Sequence, residues 1–512
     1  MNQTSQQTLS RRSALKLAGA SALLPFVAGL PATAETGGGT LRFTVLDGYS
    51  GNTLDAGMVA TWSDNILQSL VFDPLYRIGG DGLPEPVMIE AAEMDETGKV
   101  WTMKVRDATW QDGRPVTSKD LAFSLARIVD PDHPKSGATG LAGLDTASFE
   151  EIDDRTLRFA FKEPFAVLPD VLATYYFYLM VPHDFDPAKP VGSGAFKVES
   201  FRPGESAAFV RFDGYWAGRP ALDRIEYAAF SDANAAVNAL RNGQLDAFPL
   251  APFNLLDQFA DGSAGISVLA TPPAQTIVFT MRADQPPFDD VRVRQALRLI
   301  AKRDQMVKVA LAGHGEVASD LFAHLEPDYA TDLTRTQDLA AARALLAEAG
   351  KENLALELIA YQGTIGMIEA AQVFARNAAA AGVTITVKVV PVDLFYGQYY
   401  LSTPFSMDYF SYNTYFGQAS QAIIPGSPFD STHWSDEEYL MLYHQALATP
   451  DPTARAALKT SMQRIEFERG AFIVPVRSQV ADLVTSRLRG ITPSKNGYPL
   501  GHLAWHKMTL DG

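Results

Sequence analysis

The sequence predicts an α/β protein of two or three domains, with mixed β-sheets flanked by helices. Its 512 residues exceed what one ordinary hydrophobic core accommodates. Hydrophobic residues make up 47% and charged residues 20%, as in globular rather than disordered chains. The ranges Leu354–Tyr361, Thr364–Ala381 and Val383–Val390 have the pattern of strand, amphipathic helix and strand. Such a βαβ unit requires a parallel or mixed sheet.

The first 34 residues are predicted to be an export signal and not part of the fold. Ser10–Lys16 contains a twin arginine, Leu17–Leu30 is the apolar core, and Ala32–Ala34 offers a cleavage site before Glu35. This is the order of a twin-arginine signal. An ordinary secretory signal with an accidental arginine pair is the alternative, because Ala14 stands where a bulky apolar residue is usual.

Charge and cysteine content limit the compartment and the partners. The chain carries a formal net charge of −16, and its signal segment contributes cations and no acid. So acidic a surface disfavours nucleic acid and anionic membranes as partners. The sequence has no cysteine, which excludes disulfides and a lipid-anchored cysteine. We therefore expect a protein exported to a Gram-negative periplasm, cleaved near Ala34, free of a lipid anchor and monomeric.

The first elements after the signal are predicted to be a strand, a loop and a helix. Thr40–Leu46 alternates as a strand, residues 47–52 are turn-formers, and Ser63–Val71 has apolar residues on one helical stripe. Four later ranges have helical or strand-like patterns as well: Thr336–Ala349, Glu437–Ala448 and Pro452–Arg469 as helices, and Phe472–Val476 as a strand.

Three longer stretches have patterns specific enough to compare with known proteins. In Trp101–Pro131 a strand precedes an Asp112-Gly113 turn, and Thr117 or Ser118 caps a helix. A surface loop over Asp132–Phe149 and a strand over Arg155–Phe161 follow.

The other two stretches begin at Val191 and Phe279. In Val191–Ala247 a hairpin turns at Pro203-Gly204, and Asp232 caps a helix over Ala233–Asn242. In Phe279–Leu321 Asp290 is predicted to cap a helix.

These three stretches, in this order, resemble family 5 of the bacterial extracellular solute-binding proteins, the oligopeptide, dipeptide and nickel-type receptors of ABC importers. The resemblance implies a two-lobe, type II periplasmic binding protein with an extra inserted domain and a hinge between the lobes. It divides the chain into a signal peptide (1–34), lobe I (35–77, 191–282 and 477–512), an inserted domain II (78–190) and lobe II (283–476). It also implies that ligand lies between the lobes, and that a membrane permease recognises the closed form.

The resemblance leaves the ligand open. In the family's peptide receptors, an aspartate in a strand-to-loop segment of the third domain pairs with the ligand's α-ammonium. The corresponding stretch, Met407–Gly417, has Asp408 at the predicted strand start but no acid in its aromatic, amide-rich loop. A buried ammonium without a carboxylate is unstable, so a free peptide N-terminus is a less favourable anchor.

We predict six ligand-binding residues that follow strands or lie in loops where the lobes should meet; ordinary surface or core packing is the alternative for each. They are Tyr49, Tyr361, Gln362, Tyr412, Asn413 and Tyr415.

The predicted function is a receptor that captures a peptide or another small polar solute and delivers it to an ABC transporter permease. A metal chelate, an opine or a sugar is the alternative ligand, and an exported hydrolase is the alternative class. No His-Glu-x-x-His, Gly-x-Ser-x-Gly or phosphate-loop motif occurs, so we expect no enzyme activity, cofactor or metal. His502 and His506 have helical i, i+4 spacing, but surface or core histidines without metal are the better explanation of that pattern.

Overall fold

The structure is a computed structural model, and it describes residues 38–46, 48–174 and 176–511. The predicted signal peptide lies outside these residues. Within them the strands are β1 Thr40–Phe43, β2 Tyr76–Ile78, β3 Pro84–Pro86, β4 Ile89–Met94, β5 Val100–Val105, β6 Leu144–Asp153, β7 Thr156–Phe161, β8 Phe196–Arg202, β9 Ser206–Arg211, β10 Arg224–Ala228, β11 Ala247–Phe248, β12 Ile266–Ala270, β13 Gln275–Met281, β14 Gly315–Val317, β15 Ala355–Ala360, β16 Thr384–Val389, β17 Phe405–Phe410, β18 Phe472–Ser478, β19 Ala481–Thr485, β20 Leu488–Arg489 and β21 Thr509–Leu510.

The helices of the same residues begin with α1 directly after a polar loop, and the long α13 is followed by a short α14 that contains residues of positive φ. They are α1 Trp62–Val71, α2 Ser118–Ile128, α3 Leu168–Leu172, α4 Ala233–Arg241, α5 Phe253–Leu256, α6 Val291–Ile300, α7 Arg303–Val309, α8 Leu339–Glu348, α9 Met367–Ala380, α10 Val392–Leu394, α11 Tyr415–Gln418, α12 Glu437–Leu447, α13 Pro452–Arg469 and α14 Pro499–Leu503.

A seven-stranded mixed sheet has the order β12-β19-β11-β1-β10-β9-β8. Its central strand, β1, runs parallel to β10 and β11, whereas the remaining neighbours are antiparallel. Leu41 and Phe43 of β1 are fully buried. The carboxyl ends of β1, β10 and β11 therefore open at the same edge of this sheet.

A six-stranded mixed sheet has the order β14-β18-β13-β17-β15-β16. The βαβ unit predicted from the hydrophobic pattern is confirmed, since β15 and β16 are parallel and α9 connects them. Strand β13 is buried along its whole length between β17 and β18. This sheet forms the centre of the second half of the molecule, as the seven-stranded sheet forms the centre of the first.

A third sheet is antiparallel, with the order β4-β5-β7-β6, and α2 packs on it. The surface loop predicted over residues 132–149 is wrong at its end, because β6 begins at Leu144. The first half of β6 pairs irregularly with β7, and its residues from Glu150 to Asp153 are mostly exposed. An edge strand with so polar a face lacks the apolar alternation on which a strand prediction depends.

Helix caps and turns predicted from the sequence are confirmed at four places. The Asp232 carboxylate accepts from the Ala235 amide at 2.8 Å, and the Asp290 carboxylate accepts from the Arg292 amide at 2.8 Å. Thr117 and Asp120 form a capping box at the start of α2. Gly113, in its turn, has a φ of 90°, which only glycine adopts readily.

The chain crosses between the seven- and six-stranded sheets twice. One crossing, residues 271–274, joins β12 to β13, and the other, residues 479–480, joins β18 to β19. The crossings are hydrogen-bonded to each other: the Thr271 amide donates to the Val480 carbonyl at 2.8 Å, and the Val480 amide donates to Thr271 Oγ1 at 2.9 Å. The domain boundaries given above stay predictions.

Within the described part of the chain, every helix is too short or too polar to span a lipid bilayer.

Candidate ligand-binding cleft

A chamber of about 430 Å³ lies between the seven-stranded and six-stranded sheets. On one side it is lined by residues that follow β1 and β11, among them Leu46 and Leu250, and by Ala233 at the start of α4 after β10. On the other side it is lined by residues 361–366, which connect β15 to α9. Every one of these segments leaves the carboxyl end of a parallel strand, where α/β sheets form their ligand crevices.

A smaller inner pocket of about 50 Å³ adjoins the chamber. The two cavities share four lining residues, which are Thr61, Trp62, Tyr396 and Tyr409. The inner pocket is predominantly aromatic, and its rings are those of Trp62, Phe177, Tyr396, Tyr400, Tyr409, Phe410 and Phe429. Its one carboxylate belongs to Asp408.

Asp408 lies in the middle of β17, since that strand begins at Phe405 rather than at Asp408 as expected. It is 5% exposed. Its Oδ1 accepts from the Tyr409 amide at 2.8 Å and from the Tyr361 hydroxyl at 3.3 Å. Among the described residues, no donor of ordinary hydrogen-bond geometry reaches its Oδ2.

The pKa of Asp408 reflects this one-sided environment. Burial raises the pKa to about 7, and the Tyr409 amide and the hydroxyls of Tyr361 and Tyr400 lower it only in part. No arginine, lysine or second carboxylate of the described residues contributes to the shift. The Asp408 carboxyl therefore lacks the cationic partner that would keep it ionised.

Trp62 and Asn65 approach the inner pocket from the first turn of α1. A capping box fixes this turn, because the Thr61 amide donates to Asp64 Oδ2 at 3.0 Å while Asn52 Nδ2 donates to Asp64 Oδ1 at 3.0 Å. Trp62 and Asn65 are 4% and 7% exposed. Trp62 Nε1 and Asn65 Oδ1 have no hydrogen-bond partner among the described residues. A buried polar atom without a partner is uncommon in folded proteins.

Contacts across the mouth of the cleft join the two halves of the molecule: the first half contains the seven-stranded sheet and α1, and the second half contains the six-stranded sheet. The Tyr396 hydroxyl donates to the Ala60 carbonyl at 3.3 Å, and the rings of Tyr49 and Tyr396 lie 5.6 Å apart. Ser50 Oγ donates to Asp393 at 3.4 Å. These are long, mostly neutral contacts, so each stabilises the closed arrangement only slightly.

The structure places the six residues of the predicted site in three different surroundings. Tyr361 and Gln362 line the chamber. Tyr49 packs against the Tyr396 ring at the mouth. Tyr412 and Asn413 line neither cavity; the Tyr412 hydroxyl donates to the Gly82 carbonyl at 3.2 Å, and Asn413 is 2% exposed.

Tyr415 likewise lines neither cavity, and lies in the interior of the second half. Its hydroxyl donates to Glu466, and the Tyr439 hydroxyl lies 3.3 Å away. That these six side chains touch a ligand stays a prediction.

Sequence reasoning missed Trp62, Asn65 and the aromatic residues of the inner pocket. Trp62 was one residue outside the expected helix, although the Thr61-x-x-Asp64 pattern of a capping box marks its start. The rings of Tyr396 and Tyr400 come from a π-helical segment, Phe395–Tyr399, and the residue after it. The helical and strand spacings of apolar residues give no signal for such a segment, because a π-helix has a different repeat.

The two histidines at helical spacing are explained by packing. The His502 ring stacks on Tyr498 with centroids 4.8 Å apart, and burial lowers its pKa to about 3. Burial also lowers the pKa of His506 to about 4. No cluster of three or more potential metal ligands occurs in the part of the chain that the structure describes.

Curated relatives of this chain include glutathione-binding proteins of enteric bacteria. The glutathione-binding protein GsiB of Salmonella typhi is 26% identical over 347 residues, which are 66% of this chain. The match spans 65% of that relative's own length. The glutathione-binding protein GsiB of Escherichia coli (strain K12) is 24% identical over 473 residues, covering 88% of this chain and 90% of the relative.

A solved structure supports the same fold. The binding protein AgaA from A. tumefacien R10, in complex with agropinic acid, superposes with a TM-score of 0.81 at 23% identity. The superposition covers 92% of this chain and 99% of AgaA. The two-lobe periplasmic binding protein fold expected from the sequence is confirmed.

The profile described as "Bacterial extracellular solute-binding proteins, family 5 Middle" matches residues 84–430. This range contains β3 to β17 and α2 to α11, hence most of the six-stranded sheet and one wall of the inner pocket. The recognition made from three sequence motifs is thereby confirmed: the chain belongs to family 5 of the bacterial extracellular solute-binding proteins.

Proposed function

We propose that this protein is the periplasmic receptor of an ABC importer, which captures a peptide or another small polar solute and delivers it to the permease. The observation that carries the proposal is the chamber of about 430 Å³, lined by both sheets at the carboxyl ends of their parallel strands. Its volume lies in the range of small-molecule sites. Because both halves line this chamber, a ligand bound in it contacts both of them and stabilises the closed form.

Capture would use the two crossings at residues 271–274 and 479–480 as the hinge. The two hydrogen bonds across the mouth are long, so each contributes little to closure. A solute that contacts both walls of the chamber binds the closed form better than the open form, and it shifts the population accordingly. The permease would then recognise the closed form.

The ligand contacts that we propose come from both halves. Tyr361 and Gln362 contribute from the second half, as the sequence suggested, and Trp62 contributes from the first. Tyr49 would help to close the mouth of the cleft by packing against the Tyr396 ring. Tyr412, Asn413 and Tyr415 lie outside both cavities, and they would support these contacts indirectly by holding the segment after β17 in place.

The relatives indicate the range of ligands to test. Their names and titles give glutathione for GsiB and agropinic acid for AgaA. We favour a peptide or amino-acid derivative of this size over a sugar or a metal chelate. The proposal also includes export with cleavage near Ala34, no lipid anchor, a monomeric protein and no catalytic activity; these rest on the sequence.

A thermal-shift screen followed by calorimetry tests the proposal. The chain from Glu35 onward would be tested with glutathione, short peptides, opines, sugars and nickel–histidine. We expect the unfolding midpoint to rise with a peptide or amino-acid derivative, as it does when a ligand binds only the native state. A rise with sugars or chelates alone would remove the peptide class, and turnover of any compound would overturn the receptor itself.

A matched pair of variants shows whether the chamber is the site. Ala233 lines the chamber at the start of α4, whereas Ala235 on the same helix is exposed and lines neither cavity. We expect Ala233→Trp to abolish the ligand-induced shift by filling the chamber, and Ala235→Trp to retain it. Equal shifts in both variants would place the ligand elsewhere.

A further inference from the structure

We propose that closure of the cleft is coupled to the uptake of a proton by a cluster of three carboxylates and one lysine, so that acid pH favours the closed form. The cluster consists of Asp170, Glu326, Asp328 and Lys459, and these four residues line neither the chamber nor the inner pocket. The inference rests on the proposed function, because it adds a proton-dependent control to the opening and closing of the same cleft.

Three members of the cluster belong to the second half. Lys459 of α13 is 9% exposed, and its Nζ contacts Glu326 and also Asp328 Oδ1, the latter at 2.6 Å. Glu326 is 6% exposed, and its Oε1 accepts from the Tyr415 amide at 2.6 Å. The Glu326 carboxylate therefore sits between a buried ammonium and the segment that follows β17.

The fourth member, Asp170, approaches from a different part of the molecule. It lies on α3, which follows the third sheet and packs against α11. The Thr414 hydroxyl donates to the Asp170 carbonyl at 3.0 Å. The Asp170 carboxylate interacts electrostatically with Glu326 and with Lys459. The cluster thus spans the interface between α3 and the second half.

The third sheet and α3 are attached to the first half. Gln111, between β5 and α2, is 6% exposed, and its Nε2 donates to the carbonyls of Val71, Gly194 and Phe196 at 3.2, 3.0 and 2.8 Å. The chain enters this region after α1 and leaves it into β8 of the seven-stranded sheet. When the two halves separate, α3 therefore leaves α11 and α13, and water reaches the cluster.

The charges of the cluster are unbalanced in the closed form, because three carboxylates face one buried lysine. Burial raises the pKa of Glu326 to about 7, although the charge of Lys459 lowers it in part. Burial also raises the pKa of Asp170, against the charges of Lys459 and Arg455. In the open form water solvates both carboxyls, and their pKa values return towards the ordinary range. Closure therefore takes up a proton.

Acid pH should favour closure for this reason. Because the closed form has the higher pKa at Glu326, the equilibrium constant for closing rises as the pH falls through about 7. For one proton the rise is up to about tenfold per pH unit. Above pH 7 closure must instead bury carboxylates that Lys459 alone does not neutralise.

The neighbouring titratable groups keep one charge between pH 5 and 8. Burial lowers the pKa of His324 to about 3, so that its ring stays neutral. Burial raises the pKa of the hydroxyls of Tyr412 and Tyr415, which stay neutral as well. Burial lowers the pKa of Lys459, but the charges of the cluster's carboxylates give a net rise, and the ammonium stays protonated.

Glu466 is a matched carboxyl that lies away from the interface. It is on the same helix as Lys459, is 5% exposed, and has a pKa raised by burial to about 7. It accepts from the Tyr415 hydroxyl, and both residues belong to the second half. Opening of the cleft leaves these surroundings in place, so titration of Glu466 should not alter closure.

Small-angle X-ray scattering of the protein without added solute, at pH 5 and pH 8, tests the coupling. We expect a smaller radius of gyration at pH 5 than at pH 8. Glu326→Gln keeps an oxygen for the Tyr415 amide and cannot ionise, so its radius should differ less between the two pH values; Glu466→Gln should show the full difference. Asp408 also lies between the halves, but it is present in both variants and cancels in their comparison. No difference in the unchanged protein, or equal differences in the two variants, would overturn the inference.

Asp170→Asn tests the other side of the interface and replaces Glu326→Gln if that variant does not fold. Asp170 is only partly buried, so the substitution perturbs the fold little. We expect it to reduce the difference in radius between pH 5 and pH 8 as well. An undiminished difference would contradict the part that the inference gives to α3.

These outcomes separate the inference from the proposed function. If the screen of solutes finds a ligand and the radius of gyration is the same at both pH values, the receptor stands and the proton coupling is wrong. If no solute binds but the radius depends on pH through Glu326, the coupling stands and the receptor proposal fails.

Discussion

Each of the two large sheets contains a buried aspartate, and the two aspartates have similar pKa values but opposite surroundings. Burial raises the pKa to about 7 for Asp408 in the six-stranded sheet and also for Asp482 in the seven-stranded sheet. Asp482 is 1% exposed, and each of its oxygens accepts a backbone hydrogen bond. Asp408 lines the inner pocket; its Oδ1 accepts two hydrogen bonds, whereas its buried Oδ2 has no partner of ordinary geometry among the described residues.

The donors to Asp482 explain why it is structural. The Leu250 amide donates to Oδ1 at 3.2 Å, and the Leu500 amide donates to Oδ2 at 2.6 Å. Both leucines have positive φ, 57° and 48°, a conformation that side chains other than glycine rarely adopt. The carboxylate thus anchors two strained turns on one strand. Perturbed pKa values mark structural and functional groups alike, and the geometry of the partners distinguishes them.

Removing each carboxylate altogether should give the largest contrast. Asp482→Ala leaves two buried amides without an acceptor and frees two strained turns, so we expect a loss of about 3 kcal/mol or more in the free energy of unfolding. Asp408→Ala leaves one amide and one hydroxyl, both beside a cavity that water can enter, and should destabilise by about 1–2 kcal/mol. Urea unfolding of both variants measures the difference, and equal losses would remove the distinction between the two aspartates.

The isosteric change to asparagine should reverse sign between the two sites. Asp482→Asn places an amide donor opposite a backbone donor, so we expect a loss of about 1–3 kcal/mol. Asp408→Asn keeps an oxygen for Tyr409 and Tyr361 and removes an unpaired buried charge, so at pH 8 we expect a gain of about 1 kcal/mol or more. Guanidinium unfolding at pH 8 compares them; destabilisation of both variants would assign Asp408 a structural role as well.

The stability gain of Asp408→Asn should depend on pH in a defined direction. The raised pKa means that the folded protein keeps the proton between about pH 4 and 7, where the unfolded chain has released it. Asp408 therefore makes the folded state less stable as the pH rises through this window, and the full penalty is present above pH 7. The gain from asparagine should disappear at pH 4, and a gain that is constant from pH 4 to 8 would contradict this origin.

The sequence predicted the scaffold far better than the cleft. The caps at Asp232 and Asp290, the Asp112-Gly113 turn and the βαβ unit from Leu354 to Val390 depend on neighbours within a few residues, and the pattern contains that information. The inner pocket brings together α1, the π-helical segment after α10 and β17, which are more than 300 residues apart at the extremes. No local rule specifies such a juxtaposition.

Asp408 shows, at a single residue, the same limit of prediction from local sequence. The sequence places Asp408 beside an aromatic loop that contains no acid. Its burial, its single unpaired oxygen and its neighbour Trp62 depend on how two distant segments pack. Polar groups that a fold leaves unsatisfied can be found only after the partners of every atom are known.

The smallest expected effect comes from the hydroxyl that orients Asp408. Tyr361 is fully buried, stacks on Phe395 at 3.9 Å, and donates to Asp408 Oδ1 at 3.3 Å. Tyr361→Phe retains the stacked ring and removes one donor that favours the ionised carboxyl, so the pKa of Asp408 should rise further. The lost hydrogen bond should cost about 0.5–1.5 kcal/mol in the free energy of unfolding, and the loss of stability with rising pH should move to higher pH than in the unchanged protein. Urea unfolding of both proteins between pH 4 and 9 measures the two effects, and an unshifted pH dependence would mean that the Tyr361 hydroxyl does not act on Asp408.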